Sequence, residues 1–163
     1  MLSIVVTMGN NNLIGKEGQG IWHLAEDEER FRKLTEGKTL IMGRKTFETL
    51  KEILPNREYV VLCSTGKLKV DNPNVKVITG TYELEEYADS DEESFVIGGG
   101  IVYRILIPHA KKMYITRIYN DFDGDISFPE IDENKWEILD REEGHKDAEN
   151  PYDYEYITYG RKN

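Results

Sequence analysis

One cysteine, Cys63, stands in 163 residues, so no disulfide can close within the chain, a usage that fits a reducing compartment. The three histidines, His23, His109 and His145, are scattered with no Cys or His at ligand spacing, and no metal site is expected. No apolar run approaches the roughly 20 residues needed to cross a bilayer. The opening MLSIVVTMGNNN carries neither a charged leader nor a cleavage site and reads as a strand. A basic excess is missing too: 21 Lys and Arg against 31 Asp and Glu leave a net charge of −10, which repels phosphate polymers and anionic membranes. Nucleic-acid and membrane partners are not expected, and an anionic ligand would need a local basic patch. A chain of this length fills one core, so a single domain over 1–163 is expected.

What is present is alternation. Apolar runs at 2–8, 39–42, 59–62, 75–78 and 94–97 read as buried strands, and 24–36, 44–51, 82–87 and 101–106 read as helices between or after them. A strand at 112–119 follows, then two amphipathic strands at 136–141 and 154–159 that form a terminal hairpin. The order predicts an α/β fold: a central mixed, largely parallel sheet flanked by helices, with a C-terminal antiparallel hairpin. The segment 9–23, with Gly9, Gly15, Gly18 and Gly20, is long for a connector and reads as a lid or binding loop. The acidic run 89–93 reads as a solvated connector, and DFDGD at 121–125 as a turn, since it lacks the spacing of a calcium loop.

Three stretches carry chemistry. At about 100° per residue, Leu24, Asp27, Phe31 and Leu34 share one helical stripe, while Glu26, Glu29 and Lys33 point away. A carboxylate on an apolar stripe loses hydration, which raises its pKa towards the range useful for proton transfer. A plainer reading stays open: acids favour a helix's first turn, and Arg30 could simply pair with Asp27. Gly43-Arg44-Lys45-Thr46 joins a strand to a helix, a corner whose free N–H groups and two cations suit a phosphate, although solvated surface charges account for it equally well. Gly98-Gly99-Gly100 also lies between strand and helix, where it could cradle a phosphate or make a tight packing turn. Thr116 interrupts an apolar strand and is either core or site.

The motifs, in order, are Ile14-Gly15 in a long loop, WHL at 22–24 followed by Asp27 and Phe31, IMGRKTFE at 41–48, LPNR at 54–57, VVLCS at 60–64, VIGGG-x-VY at 96–103, YITRI at 114–118 and DGD-x-SFP at 123–129. Their order and spacing resemble dihydrofolate reductase over essentially the whole chain. The resemblance implies NADPH-dependent reduction of 7,8-dihydrofolate to 5,6,7,8-tetrahydrofolate, with hydride reaching C6 of the pterin and a proton N5. It also implies a cytoplasmic monomer that supports one-carbon and thymidylate metabolism.

By that resemblance Asp27, Trp22 and Thr116 serve the chemistry. Asp27 binds the amino-pyrimidine edge and promotes protonation of N5, Thr116 orients it, and Trp22 holds an ordered water. Val5, Val6, Phe31, Leu50, Leu54 and Ile97 would form the apolar pocket, with Arg57 on the substrate's α-carboxylate and Tyr103 at the nicotinamide end. For NADPH it implies Thr7, Ile14, Gly43, Arg44, Lys45, Thr46, Leu62, Cys63, Ser64, Gly98, Gly99, Gly100, Ile101, Val102 and Tyr103, with a cis peptide between the first two glycines of the triplet. Some positions depart from the family pattern. Ile21 and Ala25 replace usual prolines, and Thr7 stands where a small Ala is common near the nicotinamide carboxamide. Glu28 replaces a frequent apolar residue, Arg30 a frequent aromatic, and Ile101 offers the 2′-phosphate no charge, leaving that to Arg44, Lys45 and Ser64. Pro151 has no N–H with which to pin the 9–23 loop. Two other readings compete: a non-catalytic nucleotide-binding module in which Asp27 pairs only with Arg30, and a same-fold reductase acting on a pyrimidine of riboflavin synthesis, against which WHL and Arg57 argue.

Overall fold

The apolar runs pair edge to edge into one eight-stranded sheet, seen in a computed structural model that describes residues 1–15 and 22–163. In chain order the elements are β1 (Leu2–Met8), β2 (Leu13–Gly15), α1 (Ala25–Thr35), β3 (Thr39–Gly43), α2 (Arg44–Thr49), β4 (Glu58–Leu62) and β5 (Val75–Ile78). Then come α3 (Glu85–Asp89), β6 (Ser94–Val96), α4 (Gly100–Leu106), β7 (Ala110–Ile118), β8 (Ile126–Ser127), β9 (Trp136–Glu143) and β10 (Tyr154–Arg161). The sheet order is β5-β4-β3-β6-β1-β7-β10-β9. Every pairing from β5 to β7 is parallel, and β10 runs antiparallel to both its neighbours.

Alternation along each strand sends side chains to two faces, and each face finds its own helices. On β3, Leu40 and Met42 join Tyr59, Val61 and Phe95 in one core with Phe31 and Leu34 of α1 and Phe47 of α2. Ile41 between them joins Ile4, Val60 and Val96 in a second core with Leu84, Tyr87 and Ala88 around α3 and Val102 and Leu106 of α4. Both faces are thus covered, which is why these strands read as continuous apolar runs. The site residues lie on β1, β7, α1 and the corners that end β3 and β6.

Three local expectations are corrected. The segment 9–23 is not wholly irregular: Asn10–Asn12 form a 3-10 turn and β2 pairs with β8. A two-residue partner strand has no period to detect. The helix expected at 82–87 is a 3-10 turn, Thr81–Leu84, running into α3. The acidic run is not simply solvated either, since Glu93 accepts hydrogen bonds from the hydroxyls of Ser3 (2.5 Å) and Tyr114 (2.9 Å). The expectations for Gly18, Gly20 and Ile21, and for what Pro151 could pin there, fall on a stretch outside the described residues.

Candidate active site

The helix α1 begins one residue after Leu24, whose buried side chain anchors its start, and the same stripe brings Asp27 over the sheet. There it meets two threonines that stand opposite each other in register on the adjacent parallel strands β1 and β7, Thr7 and Thr116. The Thr116 hydroxyl donates to Asp27 Oδ1 at 2.6 Å and the Thr7 hydroxyl to Oδ2 at 2.5 Å. The residue keeps an accessible edge while its carboxyl group lies among protein atoms. Desolvation raises its pKa above the usual 3.8, against the opposing pull of the Thr116 and Thr7 hydrogen bonds and of the Arg30 charge.

Arg30 does not form an ion pair with Asp27 among the described residues. Its guanidinium stacks over the Tyr156 ring, 4.0 Å from the centroid. The direct pairing in the plainer reading therefore fails on geometry, although Asp27 does stand in the first turn of α1 and feels the Arg30 charge. Glu28 turns outward to His23, 3.1 Å from Nδ1, with both side chains exposed. Ala25 opens the helix without the proline usual there. Trp22 packs on Phe122 with ring centroids 5.2 Å apart, beside the cluster that holds Leu24 and Tyr156.

The expected apolar wall assembles with one exception. Val5, Phe31, Leu50 and Ile97 are partly buried against the same core, and Leu54 is half-buried beyond them, its N–H bonded to the Tyr59 hydroxyl at 2.8 Å. Val6 is corrected: it lies in the opposite core, because neighbours on a strand face opposite ways. Arg57 is buried and holds Thr35 Oγ1 through Nε (3.3 Å), Pro55 O through Nη1 (2.6 Å) and Arg32 O through Nη2. A guanidinium has five N–H donors, so among the described residues each terminal nitrogen keeps one without a partner, the fork that a carboxylate fits.

The two glycine corners lock together: Gly43 N–H donates to Gly98 O at 2.9 Å, and the Gly98–Gly99 peptide is cis as expected. A side-chain carbon at Gly98 or Gly99 would lie 3.4 Å from the Thr46 hydroxyl, so the glycines keep that surface open. Neither α2 nor α4 has a side-chain cap, so first-turn N–H groups remain for a ligand at both. Arg44, Lys45 and Ser64 are exposed at the rim, with Arg44 held to Glu48 at 2.8 Å, and Ile101 is 74% exposed. Cys63 lies next to the exposed Ser64 but is itself buried. Its side chain is enclosed, and the Thr65 hydroxyl and the amide of Leu68 bring its thiol down to about 7. Tyr103 is buried, its hydroxyl donating to Val5 O at 2.7 Å and its ring edge-on to Phe128. Val102 is buried, while Ile14 and Leu62 flank the same core. A second hollow of about 250 Å³, lined by Met113, Phe128, Trp136 and Arg161 among others, meets the site only through Phe128, against which Tyr103 packs.

The family model for dihydrofolate reductase matches residues 1–161. The dihydrofolate reductase of Bacillus subtilis is 41% identical over 163 residues, covering 100% of this chain and 96% of that protein. The chain belongs to the dihydrofolate reductase family. It is also 32% identical to the Staphylococcus haemolyticus dihydrofolate reductase, over 98% of this chain and 95% of that protein. A dihydrofolate reductase structure from Enterococcus faecalis, complexed with NADP(H) and RAB-propyl, superposes with a TM-score of 0.92 at 37% identity, covering 100% of this chain and 97% of that one. The family uses NADPH, and this member is an NADPH-dependent oxidoreductase. Sequence reasoning missed Asn150, whose side chain accepts the Glu26 N–H at 2.8 Å and so holds the start of α1. No local signal marks it, because the two residues lie 124 apart in the chain.

Proposed function

We propose that the chain reduces 7,8-dihydrofolate to 5,6,7,8-tetrahydrofolate, with the reduced nicotinamide, when bound, supplying the hydride that reaches C6. The observation that carries the reading is Asp27, a carboxylate on an apolar wall held by two neutral hydroxyls, with no ion pair among the described residues. Each carboxylate oxygen has a second lone pair, and those left by Thr7 and Thr116 accept N–H groups of an amino-pyrimidine edge. Burial raises the carboxyl's proton affinity and so supports its part in protonation at N5. Thr116 orients the acid, and Trp22, two residues before the N-cap of the same helix, packs on Phe122. Val5, Phe31, Leu50, Leu54 and Ile97 hold the flat heterocycle and its aromatic tail, and the Arg57 fork takes the α-carboxylate.

On the cofactor side, the open glycine corners at Gly43 and Gly98–Gly99 suit the pyrophosphate, and Arg44, Lys45 and Ser64 the 2′-phosphate. An exposed pair such as Arg44–Glu48 is weak in water, so a phosphate can draw Arg44 away. The same reading takes the chain as one domain, a cytoplasmic monomer without nucleic-acid partners. The single sheet built from both halves of the chain, the lone enclosed Cys63 and the net charge of −10 support it. Light scattering tests the monomer.

The deciding experiment follows NADPH absorbance after dihydrofolate is added, repeated with NADH. Substrate-dependent oxidation, faster with NADPH, is expected. Cofactor binding without oxidation would support the non-catalytic module instead.

A further inference from the structure

We propose that Thr7 is a positioning residue for the reduction, its hydroxyl fixing the second oxygen of Asp27 so that the carboxylate meets the pterin with both oxygens already engaged. The inference rests on the reductase reading and deepens it. The family resemblance puts Thr7 near the nicotinamide carboxamide, whereas its Oγ1 lies 2.5 Å from Asp27 Oδ2. The second arm is Thr116, 2.6 Å from Oδ1, and the two threonines are register partners on neighbouring strands. Both are β-branched and stiff at χ1, and the strands that carry them sit in the middle of the sheet. Turning the carboxylate about its last bond would break both hydrogen bonds together, so its plane is set before substrate arrives.

A hydroxyl that donates to a carboxylate favours the anion over the acid. Two such donors hold Asp27 lower than burial with one donor would, so Thr7 limits how far the group rises. The charged and titratable groups around it are Glu28 and Arg30 on its own helix and Tyr156 on β10, while β1 and β7 face it with the Thr7 and Thr116 hydroxyls. None of the three donates a hydrogen bond to either Asp27 oxygen, so among the described residues Thr7 alone holds Oδ2.

The test compares Thr7→Val, which keeps the shape and loses the hydroxyl, with Thr7→Ser, which keeps the hydroxyl. Thr7→Ala serves if Thr7→Val fails to fold. Single-turnover hydride transfer measured against pH should fall off at a higher pH in Thr7→Val, by roughly half a unit or more, because the acid holds its proton longer. Thr7→Ser should restore the wild-type profile. NADPH affinity, read separately by fluorescence, should change less than about threefold, since the hydroxyl faces the acid. A Thr7→Val profile that superimposes on wild type, or a Thr7→Ser profile displaced as far as Thr7→Val, overturns the proposal. Carbon-13 NMR titration of the Asp27 carboxyl in the unliganded protein reads the same shift without turnover. A wild-type protein inert towards dihydrofolate would therefore sink the reductase reading, while the NMR comparison still decides whether Thr7 sets the carboxyl.

Discussion

A carboxylate that has lost most of its water and keeps two neutral donors is less stable as an anion than it is in solution, and Asp27 is in that position. The sign follows from the raised pKa. Relative stability is fully present below the usual value of 3.8 and is lost as pH rises through the folded value, so at neutral pH the charged group opposes folding. Asp27→Asn removes that cost and keeps an oxygen for Thr116, with an amide towards the Thr7 hydroxyl, which can turn to accept. We expect a higher Tm than wild type at pH 7 and no difference near pH 3, measured by calorimetry. Turnover at neutral pH should fall about 10²-fold or more and recover partly in acid, where preprotonated substrate needs less help. Loss of activity together with loss of stability at pH 7 would mean that Asp27 is a structural partner rather than a strained functional group.

The helix that carries this acid depends on a distant loop. Its N-cap residue, Leu24, has no side-chain oxygen, and the Glu26 N–H is accepted by Asn150 at 2.8 Å. Asn150 is itself buried and bonded through its backbone N–H and side-chain amide to Asp147 Oδ1. Replacing a cap commonly costs about 1 kcal/mol, so Asn150→Ala should lower Tm by about 2–4 °C. It should also reduce the hydride-transfer rate modestly, since the freed amide is one residue before Asp27. Stopped-flow kinetics beside calorimetry check both, and an unchanged Tm would show that the contact is idle. This cap marks the border of what could be read in the chain. The apolar stripe of α1, the succession of strands and helices along the chain and the glycine corners follow from local periodicity and local turn chemistry, and they were legible. The Asn150 cap and the Thr7–Thr116 pincer were not, because each needs residues brought together by sheet order and register. Val6 was misplaced for a related reason: a strand covered on both faces is apolar throughout, so its pattern does not say which face a residue takes.

At the scale of the whole molecule the net charge of −10 sets the response to pH. Self-repulsion at neutral pH weakens as acid titrates the surface towards the sequence isoelectric point of about 4.9, and the cost of charging Asp27 falls in the same direction. Two other acids act oppositely. Arg141 holds Glu155 below its usual 4.5 from 2.6 Å, and Asn150 holds Asp147 below its usual 3.8. For such depressed groups the stabilisation is present above the usual value and lost as pH falls through the folded one. Tm should therefore rise from pH 7 to about 5 and fall below about 4. Because repulsion between exposed charges is screened, about 0.5 M NaCl should flatten the neutral limb while leaving most of the acid limb. Glu155→Gln should lower Tm above pH 5 and make the acid fall shallower, since the Arg141 pair can no longer be titrated away. A low-salt Tm that stays level between pH 7 and 5 would mean that neither the acidic surface nor the charge on Asp27 strains the fold in that range.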